Sequence, residues 1–218
     1  MTYRAFLPVL LLVLVGPVLA AAASPDTVSA QGTIVYLDGT ATVDARPAGV
    51  GDVIPLGATI RTAAASELEV VFRDRNILRL GELTTLVFNP GNLQVGSSLQ
   101  QGSLALVLKN LVNGASADHN FYIRTPSTAA GVRGTLFFIK VEDPSTTYVC
   151  VCNGVVQLAD GSQVGTLNVR SAHHTAYRFS GTGGTPTVSP APLLYHSDAD
   201  MEALAAKVGV TVDWTEAQ

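Results

Sequence analysis

Residues 121–158, FYIRTPSTAAGVRGTLFFIKVEDPSTTYVCVCNGVVQL, constrain the fold of this chain more than any other stretch. Two apolar runs rich in β-branched and aromatic residues, 136–141 and 147–152, flank a turn at Asp143, Pro144 and Ser145. Runs of this composition bounded by turn residues read as strands, and a third follows Asn153-Gly154, a dipeptide suited to a hairpin turn. Ahead of them, Pro126 cannot donate to a ladder and so ends an extended segment. The small-residue passage from Ala129 to Thr135 then crosses to the next strand, with Gly134 supplying backbone freedom at the bend. The stretch predicts a β-meander entered through a glycine-bearing crossing.

The same pattern extends upstream. From Thr33 on, short apolar bursts are separated by turn signals at Asp38-Gly39, Pro47-Ala48-Gly49, Leu56-Gly57, Asp74-Arg75-Asn76, Asn89-Pro90-Gly91-Asn92, Gln101-Gly102 and Asn113-Gly114. Strands recurring every ~8–12 residues mark a sandwich, barrel or solenoid. Residues 67–72 and 84–88 alternate with a period of two, as half-buried strands do. Residues 103–112 are nearly all apolar and fit either a buried strand or a short helix. Residues 181–192, GTGGTPTVSPAP, have the composition of a flexible linker. Beyond them Ser197 and Asp200 are spaced as a capping box, Met201, Leu204, Ala205 and Val208 share one helical face, and Gly209 is placed to stop the helix. A helix of roughly 10 residues is too short to be stable alone, so it should dock on the β domain, with Trp214, the one tryptophan, helping.

Length and composition fit one ordered domain with small additions: 218 residues, 47% hydrophobic and 14% charged. A net charge of −4 gives no reason to expect nucleic acid. At the N-terminus Arg4 precedes an apolar run that is broken at Gly16-Pro17 and followed by alanines, the pattern of a cleavable export signal. The alternative is an uncleaved anchor, since the run approaches the ~20 residues that span a bilayer. No cysteine stands near the cleavage region, which excludes a lipoprotein anchor. The expected organisation is a signal peptide at 1–23, a polar lead-in at 24–31, a β domain at 32–180, a Gly/Pro linker at 181–192 and a C-terminal helical segment at 193–218. Location is expected to be periplasmic or secreted, with no membrane span after cleavage.

An extended segment ending in Thr125-Pro126, the small residues, Val132-Arg133-Gly134-Thr135, an apolar strand, a turn, a second strand and Asn153-Gly154 together resemble the core of the FecR domain family. Residues 32–43, 56–62, 66–76 and 80–88 are similar to its earlier short strands, so the resemblance covers roughly residues 32–160. It implies an all-β fold, a short-stranded β-sandwich or irregular β-solenoid with one short C-terminal helix, and it favours a strand for residues 103–112. The family takes its name from a periplasmic regulator of ferric-citrate uptake. Such regulators carry a cytoplasmic anti-sigma segment and a transmembrane helix before the FecR domain, whereas only a signal-like segment precedes it here.

The chemistry-bearing residues are few. Cys150 and Cys152 are the two cysteines, and positions i and i+2 of a strand face the same way, so both sulfurs should leave one surface. A disulfide at that spacing is strained because the side chains run parallel. A chelating dithiolate for zinc or copper is one reading, completed by His196 and by one of His173 and His174, which as strand neighbours would face opposite ways. Buried packing cysteines or a strained redox pair are the others. His119 reads as a solvated loop residue, and Arg133 as an arginine bonding backbone carbonyls at the crossing. No nucleophile elbow, HExxH, phosphate-binding loop or dinucleotide fingerprint is present, so catalysis is not expected. The sequence thus predicts an exported, non-catalytic binding or interaction module of the cell envelope, with an envelope protein or glycan as partner. Metal binding or redox chemistry, and regulation of iron-uptake signalling, are the alternatives.

Overall fold

The computed structural model describes residues 1, 31–73, 76–90, 95–108, 121–159, 167–181 and 185–217. The signal segment after Met1, residues 24–30 of the lead-in, the Asn113-Gly114 turn, His119 and the Arg133 side chain lie outside what is described.

The described chain is all-β with one short helix. The first eight strands are short: β1 (Gly32–Asp38), β2 (Ala41–Val43), β3 (Arg46–Pro47), β4 (Val53–Ile54), β5 (Thr59–Thr62), β6 (Glu67–Phe72), β7 (Asn76–Leu80) and β8 (Thr85–Val87). Then come β9 (Ser97–Val107), β10 (Phe121–Arg124), β11 (Ala129–Asp143), β12 (Thr146–Ala159), β13 (Leu167–Ser171), β14 (Thr175–Ser180) and β15 (Thr187–Ala191), before helix α1 (Asp198–Ala206). All the strands join one hydrogen-bonded sheet, whose main path runs β15-β14-β12-β11-β10-β9-β7-β6-β1-β4. No described helix is long and apolar enough to cross a membrane.

The long strands are buried on both faces, and this feature positions the site. Leu104 and Leu106 of β9, Phe137 and Ile139 of β11, and Val149 and Val151 of β12 enter the main core. Their alternates Ala105, Val107, Leu136, Phe138, Tyr148, Cys150 and Cys152 enter a second cluster on the opposite face. Met201, Leu204 and Ala205 of α1 cover that second face. A nine-residue helix is not stable alone, and burying Met201 and Leu204 contributes about 1.5–3 kcal/mol each toward holding it. The Ser197–Asp200 capping box is formed as read, and Gly209 takes a φ of +69° three residues past the last helical one.

Three expectations are corrected. Asn153-Gly154 is not a hairpin turn: β12 runs through it, with Gly154 at φ +127° opposite a bulge at Gly134, φ +52°. Gln101-Gly102 likewise lies inside β9, where Gly102 has a φ of +83°. Glycine supplies positive φ to a bulge as readily as to a turn, so the signal does not separate them. The stretch at 181–192 is not wholly a linker, because Thr187–Ala191 form β15 and pair with β14. Its proline, Pro190, is tolerated because β15 is an edge strand. Residues 103–107 lie in β9, as the family resemblance implies.

Candidate functional site

The second face of β12 presents Tyr148, Cys150 and Cys152 in a row, each at alternate positions and each meeting the C-terminal segment. The Tyr148 hydroxyl donates to the Pro192 carbonyl at 3.1 Å and accepts from the Leu194 N–H at 3.0 Å, which fixes the approach to α1. Two residues on, His196 turns inward, its Nε2 lying 3.3 Å from Cys152 Sγ and its Nδ1 2.9 Å from the Leu194 carbonyl oxygen. The imidazole stacks on Phe138 with ring centroids 4.4 Å apart and planes 20° from parallel.

The second imidazole arrives from the connection between β13 and β14. His173 and His174 do not stand on a strand, contrary to the sequence reading. His174 instead has a left-handed φ of +46°, and its N–H donates to the Cys152 carbonyl at 2.9 Å. That backbone bond brings its Nδ1 to 3.4 Å from Cys150 Sγ, while Nε2 lies 2.7 Å from Asp198 Oδ1. Trp214 stacks over the His174 ring at 5.0 Å and donates its Nε1–H to Glu202 of α1 at 2.7 Å. His173 lies outside this contact set and reaches Asp198 Oδ2 at 2.9 Å.

Ligand-type atoms of Cys150, Cys152, His174 and His196 therefore all lie within 4.8 Å of one another, and those of His173, His174 and Asp198 form an adjoining group. His196 and either of the adjacent histidines were expected near the thiols; the geometry selects His174. Asp198, in the first turn of α1, is the residue the sequence reading did not assign, although its spacing from His196 placed it nearby. Asn153 was also missed. Its side-chain amide nitrogen lies 2.7–2.9 Å from the carbonyl oxygens of Ala172, Asp213 and Glu216, tying the histidine connection to the C-terminal tail.

Both cysteines are free thiols with no solvent exposure. The neighbouring Cys152 thiol, and then the imidazoles, hold Cys150 down to about 4. Burial, reinforced by Cys150, pushes Cys152 up, so the pair favours one thiolate beside one thiol. For His174 burial works against protonation, but the contacts to Cys150 and Asp198 outweigh it and raise the imidazole. Asp198 is lowered, since the His173 and His174 N–H groups outweigh its partial desolvation. Cys150, His174 and Asp198 thus form a thiol–imidazole–carboxylate series. Nucleophilic use of it would need a substrate carbonyl at a sulfur that no solvent reaches, whereas four soft and borderline donors converging on one point suit a transition-metal ion.

The FecR protein family model matches residues 58–157, a span that contains both cysteines and ends before His173, His174 and His196. Two crystal structures of a candidate anti-sigma factor from Parabacteroides distasonis ATCC 8503, at 1.65 and 2.50 Å resolution, are similar at 15% identity with TM-scores of 0.47 and 0.46. The alignments cover 61% of this chain and 59% of theirs, so the chain matches less than two thirds of those proteins' length. No curated protein matches the sequence. Residues 58–157, a little under half of the chain, are thus similar to the FecR protein family.

Proposed function

We propose that the protein is an exported FecR-domain module of the cell envelope that acts by binding a protein or glycan rather than by catalysis. The observation that supports binding over catalysis is the placement of the reactive groups. Both thiols are sealed under the C-terminal segment, and their imidazoles already have fixed partners on the outer nitrogen. The open cleft beside His196, bounded also by Arg79, Ser103 and Tyr195, has a volume of about 200 Å³. Ligand pockets run to about 300–1,000 Å³, so a small-molecule substrate finds little room there. Export rests on the charged, apolar and small-residue order of the first 23 residues.

Fractionation of cells producing the full chain tests the first half of this reading. Recovery from the envelope fraction with an N-terminus between Ala21 and Ser24 is expected, and recovery in the cytoplasm starting at Met1 or Thr2 would contradict export. Photo-crosslinkers placed at the exposed residues Val50, Val53, Leu83 and Val188 test the second half. A discrete adduct in intact envelopes is expected from at least one position, and no adduct from any of them would count against a binding role.

A further inference from the structure

We propose that Cys150, Cys152, His174 and His196 bind one zinc(II) ion in a closed tetrahedral site that staples the C-terminal segment to the sheet. The inference stands on side-chain geometry and is independent of the envelope reading.

Three of the six donor spacings are close to a tetrahedron's edges, and the rest lie within 4.8 Å. With Zn–S bonds of about 2.3 Å and Zn–N bonds of about 2.0–2.1 Å at tetrahedral angles, sulfurs stand about 3.8 Å apart and a sulfur about 3.6 Å from a nitrogen. The observed Sγ–Sγ separation is 3.9 Å, and the two sulfur–nitrogen contacts are 3.4 and 3.3 Å. A disulfide between the same atoms needs about 2.05 Å, and side chains at i and i+2 of one strand face run parallel rather than toward each other.

The two imidazoles are set in the tautomers a metal requires. The outer nitrogen of His174 faces the Asp198 carboxylate, and that of His196 faces the Leu194 carbonyl; both acceptors need an N–H. Each inner nitrogen is then left with a lone pair directed at the sulfurs, the arrangement in which an outer carboxylate or carbonyl orients a ligating histidine. Stacking on Phe138 and Trp214 clamps the rings against rotation. In the metal-free protein one proton sits on Cys152 and one is shared between Cys150 and His174. Zinc displaces both to solvent, leaving two thiolates to neutralise the dication and two neutral imidazoles to complete the site. A neutral centre suits a site closed to water, where an uncompensated charge is costly. Of the four ligands, His196 lines the open cleft, which is the side from which an ion would approach.

Three separate segments meet at the ion: β12, the β13–β14 connection and the approach to α1. Loading should therefore stabilise the folded chain and fix the C-terminal segment.

The test uses the full chain, stripped of metal with chelator and reductant and titrated anaerobically with Zn²⁺ or Co²⁺. Uptake of about one equivalent of either ion is expected, with a cobalt spectrum showing thiolate charge transfer and tetrahedral ligand-field bands. Trp214, the one tryptophan, stacks on His174, so its emission should change at the same stoichiometry. His196→Gln and Cys152→Ser should each cut uptake to below about a tenth of an equivalent, and Asp198→Asn should weaken affinity by about 10–100-fold. His173→Ala should leave the stoichiometry unchanged, because that ring lies outside the tetrad. Circular dichroism of each apo variant separates loss of a ligand from loss of the fold. Uptake below about a tenth of an equivalent by folded, reduced wild-type protein would overturn the proposal, as would full uptake by a folded Cys150→Ser/Cys152→Ser variant.

Discussion

Gly154→Ala is a sharp test of how the long β11–β12 hairpin is built. The residue has a φ of +127°, and a Cβ there would run into Thr135 Oγ1 and lie 2.9 Å from Thr135 Cβ and 3.0 Å from the Gly134 carbonyl oxygen. The backbone conformation alone costs an L-residue on the order of 1–3 kcal/mol. Forcing a methyl group against Thr135 adds an overpacking penalty of about 1–3 kcal/mol, giving a total of about 2–6 kcal/mol. Thr135 cannot simply move aside, because its hydroxyl accepts from the Val155 N–H and donates to the Val155 carbonyl, both at 3.1 Å. Urea unfolding followed by circular dichroism measures the loss, with Thr135→Ala and the double variant completing a cycle. Thr135→Ala alone should cost about 1–3 kcal/mol by removing a buried hydrogen-bonding group. The double variant should fall short of the sum of the singles by about 0.5–3 kcal/mol, since the contact with Thr135 Oγ1 is gone while the contacts with the residue 135 Cβ and the Gly134 carbonyl, and the backbone strain, remain. A single Gly154→Ala variant within about 0.5 kcal/mol of the parent would refute the reasoning.

Other perturbations probe neighbouring parts of the structure. Gly134→Val places a β-branched residue at φ +52° and should cost on the order of 1–3 kcal/mol, so a melting curve matching the parent would show that the glycine serves another purpose. The buried Glu69 carboxylate is held by Arg79 at 2.7 Å and by Lys207, the residue capping α1, at 2.6 Å. Lys207→Met leaves Arg79 in place and removes a half-exposed ammonium, so the loss should be about 1 kcal/mol with faster hydrogen exchange in α1; unchanged exchange would show that the pair does not hold the helix. Glu142 is held below the usual carboxylate range, first by the Arg178 guanidinium. A lowered folded pKa gives stability that is complete above the unfolded value of about 4.3 and is lost as pH falls through the folded one. Glu142→Gln should therefore flatten the acid side of a stability–pH curve, and an unchanged slope would assign the acid sensitivity elsewhere.

What the sequence made legible follows from local physics. Alternation along residues 147–152 put Cys150 and Cys152 on one face, and the spacing of Ser197 and Asp200 marked the start of α1, because both are short-range rules of backbone geometry. Asn153-Gly154 was misleading: the same dipeptide serves a turn or a bulge, and only the continuous pairing of β12 with β11, β13 and β14 decides between them. The glycine and proline content of residues 181–192 concealed β15, whose edge position removes the usual objection to proline. Alternation also could not place His173 and His174, since they lie in a connection where a left-handed residue and a backbone bond to Cys152 set their directions. Asp198 gained its role only when α1 docked and brought its first turn against that connection.

Zinc K-edge X-ray absorption on the zinc-loaded full chain tests the convergence of β12, the histidine connection and the C-terminal segment most directly. The account predicts a four-coordinate first shell of two sulfurs at about 2.3 Å and two imidazole nitrogens at about 2.0–2.1 Å, and almost no zinc signal from Cys152→Ser or His196→Gln protein carried through the same loading. A first shell of oxygen and nitrogen alone, or a spectrum that neither substitution alters, would contradict it.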